Sequence, residues 1–302
     1  MAGKGDSTKA ILIALGANFA IFVSKAVAAL LTQSGAMLAE AVHSLADCGN
    51  QLLLLLGMKR ARLPATADFP LGHGKAIYFW SFLVALLLFS VGGMFSLYEG
   101  LHKWQHPAEL HWPWLAVAVL TFGLIVEGVS MAGCMREVNK ARGSERLWRW
   151  FRDSRQSELI VIFGEDLAAL LGLALALMAI LLTMLTGDPR YDALGTIAIG
   201  VLLIVVAVFV AIEVKALLIG QSADPVLNRQ LRAFLEARPE ISRVFNLITL
   251  QLGSDVMVAV KVQLAEDQSI AEAVAAINRV EIAMRSRFPE IRFSFVEPDN
   301  QD

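Results

Sequence analysis

Charge is scarce in this 302-residue chain: Asp, Glu, Lys and Arg make up only 18% of it, where a soluble globular protein carries about a quarter. The signs nearly cancel, at a formal net charge of −2, which leaves no global basic surface for nucleic acid. Cysteine is limited to Cys48 and Cys134, both inside apolar stretches, and this excludes a disulfide scaffold or a zinc ribbon. Histidine stops at His111, the last of five. No Gly-x-x-x-x-Gly-Lys-Ser/Thr stretch is present to cradle a nucleoside triphosphate, and no His-Glu-x-x-His to serve an intramembrane metalloprotease. An enzyme is not expected.

What the chain has instead is apolar length. Hydrophobic residues make up 56%, the mean hydropathy is +0.59, and the apolar residues crowd into the first 220 positions. Against the roughly 20 apolar residues that a bilayer requires, six segments qualify, at about 10–32, 37–58, 76–101, 112–135, 157–186 and 193–214. Residues 76–98 and 193–212 contain no charge at all. The expected fold is an α-helical integral membrane protein with six transmembrane helices. The first apolar run is long and lacks a small-residue cleavage site, so it reads as a retained helix.

Loop charge sets the orientation. Lys59, Arg60, Arg62 and Lys75 lie in one loop, and Arg136, Lys140, Arg142, Arg146, Arg149, Arg152 and Arg155 in another. The opposite loops carry only Lys103 and Arg190. Eleven basic residues against two place both termini and both basic loops in the cytoplasm, with a bacterial inner membrane as the expected bilayer. Leu147, Trp148, Trp150 and Phe151 interleave with arginines in the second loop. That mixture fits a helix at headgroup level, or an aromatic belt at the foot of the fifth span.

From about Gln221 no run is long enough to span. Pro225 opens a helical pattern that ends before Pro239. Phe245–Leu252 and Met257–Leu264 largely alternate around a Gly253-Ser-Asp255 turn, a second helix covers about 269–288, and Ile291–Val296 reads as a third strand. The order α-β-β-α-β predicts a small two-layer cytosolic domain with one sheet face covered by helices. Its other face, or a helix edge, is free to pair with a second copy. The division expected is 1–220 for the transmembrane domain and 221–302 for the cytosolic one.

Polar groups inside a membrane are costly and mark function. His43 and Asp47 are four apart in the second span, on one helix face, and together make half of a borderline divalent-metal site. A His–Asp hydrogen bond between helices is the plainer alternative. Glu165-Asp166 lies deep in the fifth span, where a cation is the natural compensator; an ion pair with Lys25 would also satisfy it. Glu127 stands alone in the fourth span, as a ligand or as one end of an interhelical hydrogen bond. Glu40 shares the face of His43 but suits Lys25 as a partner.

Ser-x-Ala-Met-Leu-Ala-x-Ala-x-His-Ser-x-x-Asp over Ser34–Asp47, followed by Gly72-His-Gly-Lys75, resembles the cation diffusion facilitator family of divalent-metal/proton antiporters, including the solute-carrier-30 zinc transporters. The resemblance runs over the whole chain. It implies a tetrahedral transport site between spans two and five, a homodimer in the lipid bilayer, and protons as counter-substrate. The family's span-two pair falls on His43 and Asp47. In span five the usual His-x-x-x-Asp would place its aspartate on Asp166 and its histidine on Ile162, so this chain resembles the branch that carries Glu-Asp instead.

Glu165 lies about 100° around the helix from Asp166, so both can serve one site only with rotation or local distortion. Glu127 is a further possible ligand. One histidine with two or three carboxylates suits Zn²⁺ and also admits Mn²⁺, Fe²⁺ or Co²⁺. Cys48 reads as helix packing. A secondary cytoplasmic site on His73 and Asp68 is possible, against the simpler reading that Gly72 and Gly74 start span three and His73 caps it. The cytosolic domain has no histidine for a metal cluster. The function expected is an exporter of divalent metal, Zn²⁺ first, in exchange for protons. The alternatives are an Mn²⁺, Fe²⁺ or Co²⁺ exporter of the same mechanism, or a metal sensor or scaffold that has lost transport.

Overall fold

The computed structural model describes residues 4–265 and 269–301, which fall into two compact units. The first unit holds the chain up to Leu56 with Trp80–Glu145 and Glu158–Glu213. Its helices are α1 (Lys4–Thr32), α2 (Gly35–Ala61), α3 (Ala76–Leu87), α4 (Phe95–Gln105), α5 (Pro113–Arg142), α7 (Ser157–Thr186) and α8 (Arg190–Ile219). A π-helical stretch, Leu88–Met94, joins α3 to α4, so the two form one rod over Ala76–Gln105. Long apolar runs take this form because a helix satisfies every backbone group within its own segment. Among the described residues, four rods are long and apolar enough to cross a membrane: Ala76–Gln105, α5, α7 and α8. Each has 30 residues, about 45 Å at 1.5 Å per residue, against a hydrocarbon core of about 30 Å. α7 matches the span expected at 157–186, while the rod Ala76–Gln105, α5 and α8 run past theirs into more polar sequence.

Glycine lets the rods approach. A Cβ on Gly93 would meet Ile204 Cγ1 at 2.6 Å, and one on Gly200 would meet the backbone N of Leu97 at 2.7 Å. Packing of this kind, without bulky side chains between backbones, is how helices associate where lipid is as apolar as leucine. The start of α2 is pinned differently. Asp192 of α8 accepts from Ser34 Oγ at 2.5 Å and from the Gly35 N–H at 2.6 Å, while Ser34 Oγ caps the Met37 N–H at 3.1 Å. Ser34, at the head of the span-two signature, therefore holds the helix start rather than a ligand.

The second unit comprises Gly57–Phe79, Arg146–Ser157 and Val214 onward. It contains α6 (Leu147–Asp153), α9 (Pro225–Glu236), β1 (Ile241–Leu252), β2 (Asp255–Leu264), α10 (Ile270–Arg287) and β3 (Ile291–Pro298). The sheet order is β1-β2-β3, with β1 antiparallel and β3 parallel to β2. Asp224 caps α9 through the Val226 and Leu227 N–H groups, and a Ser269–Glu272 capping box starts α10. Val256, Val258, Val260 and Val262 bury one sheet face with Leu231, Leu235, Val280 and Met284. β1 begins four residues before the alternating run from Phe245, because register shifts between Ile241 and Asn246 break the alternation there. In α6, Trp150 and Phe151 are buried in protein while Trp148 is exposed.

Glu240 accepts from Arg238 Nη2 at 3.0 Å and Arg279 Nε at 3.2 Å. Burial pushes its carboxyl up, but the Arg238 bond, a backbone N–H and Arg279 outweigh this and hold it below its ordinary value. A depressed carboxyl stabilises the fold above the unfolded value, about pH 4, and loses that contribution as pH falls through the lower folded value. The melting temperature of the second unit should thus drop as pH falls below about 4. In Glu240→Gln, scanning calorimetry of the purified chain should show part of that drop removed.

Candidate metal centre

His43 and Asp47 sit one turn apart on α2, with His43 Nδ1 at 3.7 Å from Asp47 Oδ1, beyond hydrogen-bond reach. His43 is fully buried and the Asp47 side chain is 18% exposed. Among the described residues, both ring nitrogens of His43 and Oδ1 of Asp47 have no hydrogen-bond partner. Buried polar atoms are nearly always paired, so three unpaired polar atoms on one helix face call for an occupant. The interhelical His–Asp hydrogen bond that sequence left open is not formed.

The adjacent acids of α7 divide between neighbours. Glu165 Oε1 accepts from Asn50 Nδ2 of α2 at 2.5 Å. Asp166 Oδ2 accepts from Ser130 Oγ of α5 at 3.4 Å, and the Cys134 thiol bonds to the same carboxylate. The turn of about 100° between consecutive residues aims one acid at α2 and the other at α5. Glu127, on the same helix as Ser130 and Cys134, stands within electrostatic range of Lys25, Asp47 and His43. Asp166 in turn feels Glu127 and Asp47, and Glu165 feels Asp47. The five candidate side chains thus share one region of the bundle. No three His, Cys, Asp or Glu groups among the described residues are yet close enough together to hold a metal ion.

Lys25 is not the partner of the α7 acids. Its Nζ donates to Glu40 Oε2 at 3.1 Å and to Ser44 Oγ at 2.9 Å, as the shared face of Glu40 suggests. Ile162, at the position of the missing histidine, is 39% exposed. Cys48 is buried, and its sequence reading as packing needs nothing further. Two residues that sequence reasoning passed over are Asn50 and Cys134. Asn50 could have been found, because it continues the 43–47 face of α2 at the next helical interval.

The region around His73 is built for packing. His73 Nδ1 lies 3.2 Å from the Pro64 carbonyl, and the carbonyl of His73 accepts from the Ala76 N–H, which starts α3 by backbone rather than by a side-chain cap. A Cβ on Gly74 has no room beside the Leu252 carbonyl, and Tyr78 Oη accepts from the Gly253 N–H at 2.8 Å. The Gly72-His-Gly-Lys75 element therefore seats the tip of the β1–β2 hairpin. Asp68 is exposed and forms no ion pair with His73 among the described residues.

Comparison with known proteins adds a second line. A family model described as the cation efflux transmembrane domain matches residues 11–219, and one described as the cytoplasmic domain of cation efflux proteins matches residues 223–300. The chain is 31% identical over 255 residues to a mitochondrial protein from Xenopus laevis named proton-coupled zinc antiporter SLC30A9, covering 84% of this chain and 45% of that protein. It is 30% identical over 256 residues to metal tolerance protein C4 of Arabidopsis thaliana, covering 82% and 54%. A more distant relative, the cation-efflux pump FieF of Shigella flexneri, is 24% identical over 266 residues and is covered to 81% of its length. The chain spans about half the length of the first two of these relatives.

Proposed function

This chain belongs to the cation diffusion facilitator family, and from that premise we propose that it exports divalent metal, Zn²⁺ foremost, in exchange for protons. It is an integral membrane protein; six spans, cytoplasmic termini and a bacterial inner membrane complete the proposal, although a similar relative carries "mitochondrial" in its name. The observation that carries the reading is the set of unpartnered, buried polar atoms on His43 and Asp47, within electrostatic range of the acids of α5 and α7. His43, Asp47, Asp166 and Glu165 would hold the metal, with Glu127 at hand. Binding would draw the carboxylates together from the partners they now hold, and each carboxyl group must be ionised and the imidazole neutral to bind. Metal and protons then compete for the same atoms, and exposing those atoms to each side in turn couples the two flows. A site with one imidazole and several carboxylates keeps Mn²⁺, Fe²⁺ and Co²⁺ as candidate cargoes.

Proteoliposomes under an imposed pH gradient test this directly. Zn²⁺ flux should run against the proton gradient and stop when an ionophore collapses it, and competition with Mn²⁺, Fe²⁺ and Co²⁺ ranks the cargo. Tight binding without flux would instead identify a sensor or scaffold.

The cytosolic domain is proposed to make the dimer without metal, since residues 221–302 hold neither histidine nor cysteine. Cross-strand pairing lines Leu250, Met257 and Phe293 in one row and Ile248, Ala259 and Phe295 in the next, on the face away from the helices. Ile248 and Phe295 are each more than half exposed. A chelator should leave the purified chain dimeric by light scattering. Phe295→Glu combined with Ile248→Glu should shift it towards monomer; persistence of the dimer would place the interface elsewhere.

A further inference from the structure

Lys25 and Glu40 are buried to 1% and 0% exposure inside an apolar bundle. A buried ion pair is weak support for a fold, since well-packed apolar side chains of the same volume commonly serve as well. The acceptors around it are left open. Glu40 Oε1, like both nitrogens of His43, has no hydrogen-bond partner among the described residues. Glu40, His43, Ser44 and Asp47 recur at intervals of three and four, so they line one face of α2. The Glu40 carboxylate itself is admitted against α7 only because Gly172 has no side chain: a Cβ there would meet Glu40 Oε1 at 2.5 Å.

We propose that Glu40, Ser44 and His43 form a second cation subsite, about one turn from the His43–Asp47 centre towards the start of α2, in which the Lys25 ammonium stands in for the cargo. The proposal rests on the transport reading above. An ammonium and a divalent ion seek the same carboxylate and hydroxyl oxygens, and at close range in a bundle they repel too strongly to share them. Arrival of the cargo therefore displaces Lys25, and its departure lets Lys25 return. Glu40 and Asp47 are about 10 Å apart along the helix axis, with His43 between them and able to serve either in turn. Lone pairs thus line the path of the ion, and the resident ammonium keeps the second subsite from holding it long.

Equilibrium zinc binding by the full-length chain in detergent, against a chelating dye, tests this without any reading of flux. Asp47→Asn should remove the zinc bound by the wild type. Adding Lys25→Met should restore about one zinc per protomer, and adding Glu40→Gln to that pair should remove it again. A doubly substituted chain that is monodisperse, as helical as the wild type, and binds no zinc overturns the subsite. Flux by the wild type is measured separately: restored binding with no wild-type flux refutes transport but not the subsite.

A second measurement holds if the double variant does not fold. Glu40→Gln alone should raise the zinc concentration for half-maximal flux three- to tenfold. The charge-neutral combination Lys25→Met with Glu40→Gln should fail to recover it. Recovery to the wild-type value would mark the pair as packing and overturn the proposal.

Discussion

Replacing His43 or Asp47 by alanine will abolish metal flux, by at least a hundredfold, while the chain remains a folded dimer. Changing a residue that merely orients a metal ligand costs about 10–100-fold in affinity or activity, so losing a ligand should cost no less. Neither side chain makes a hydrogen bond that the bundle would lose: the His43 nitrogens and Asp47 Oδ1 are unpartnered among the described residues. Removing an unsatisfied buried polar group relieves a desolvation penalty instead of creating one, which is why the fold should survive. Zinc flux in proteoliposomes, with size-exclusion profiles as the check on folding, measures both halves. Wild-type flux from either variant would remove the proposed centre.

The second large effect is expected on α7. Glu165→Gln keeps an amide oxygen to accept from Asn50 Nδ2, now at 2.5 Å from the carboxylate, and Asp166→Asn keeps an acceptor for Ser130. Both substitutions retain shape and remove charge. Each should lower flux by about a hundredfold, because neutral amides bind a divalent cation more weakly than carboxylates and do not exchange a proton for it. The several-fold effect expected of Glu40→Gln sets the comparison. If both α7 variants transported normally and Glu127→Gln did not, the centre would belong to α5.

Much of this was legible along the chain. Long apolar runs point to helices in a membrane, since a helix satisfies every backbone group within its own segment. Among the described residues, the four rods long and apolar enough to cross a membrane coincide with such runs. The α-β-β-α-β order followed from period-two alternation and from Pro and Gly punctuation. The start of β1 did not, because a bulge interrupts the alternation. His43 and Asp47 shared a face by spacing alone, which is a property of one helix.

Pairing between helices was decided only in three dimensions. Sequence could say that Glu165 and Asp166 diverge by about 100°, but not that one would face Asn50 on α2 and the other Ser130 and Cys134 on α5. It offered Lys25 to the α7 acids or to Glu40, and packing gave it to Glu40 and Ser44. Sequence offered Gly72-His-Gly-Lys75 as the start of span three or as part of a secondary metal site, and could not say that Gly74 and Tyr78 would seat the tip of a hairpin, because the need for glycine there arises from Leu252, far away in sequence. Helical spacing is written in the chain because it depends on neighbours three and four residues away. Which faces meet depends on how whole helices pack, and no local pattern encodes that.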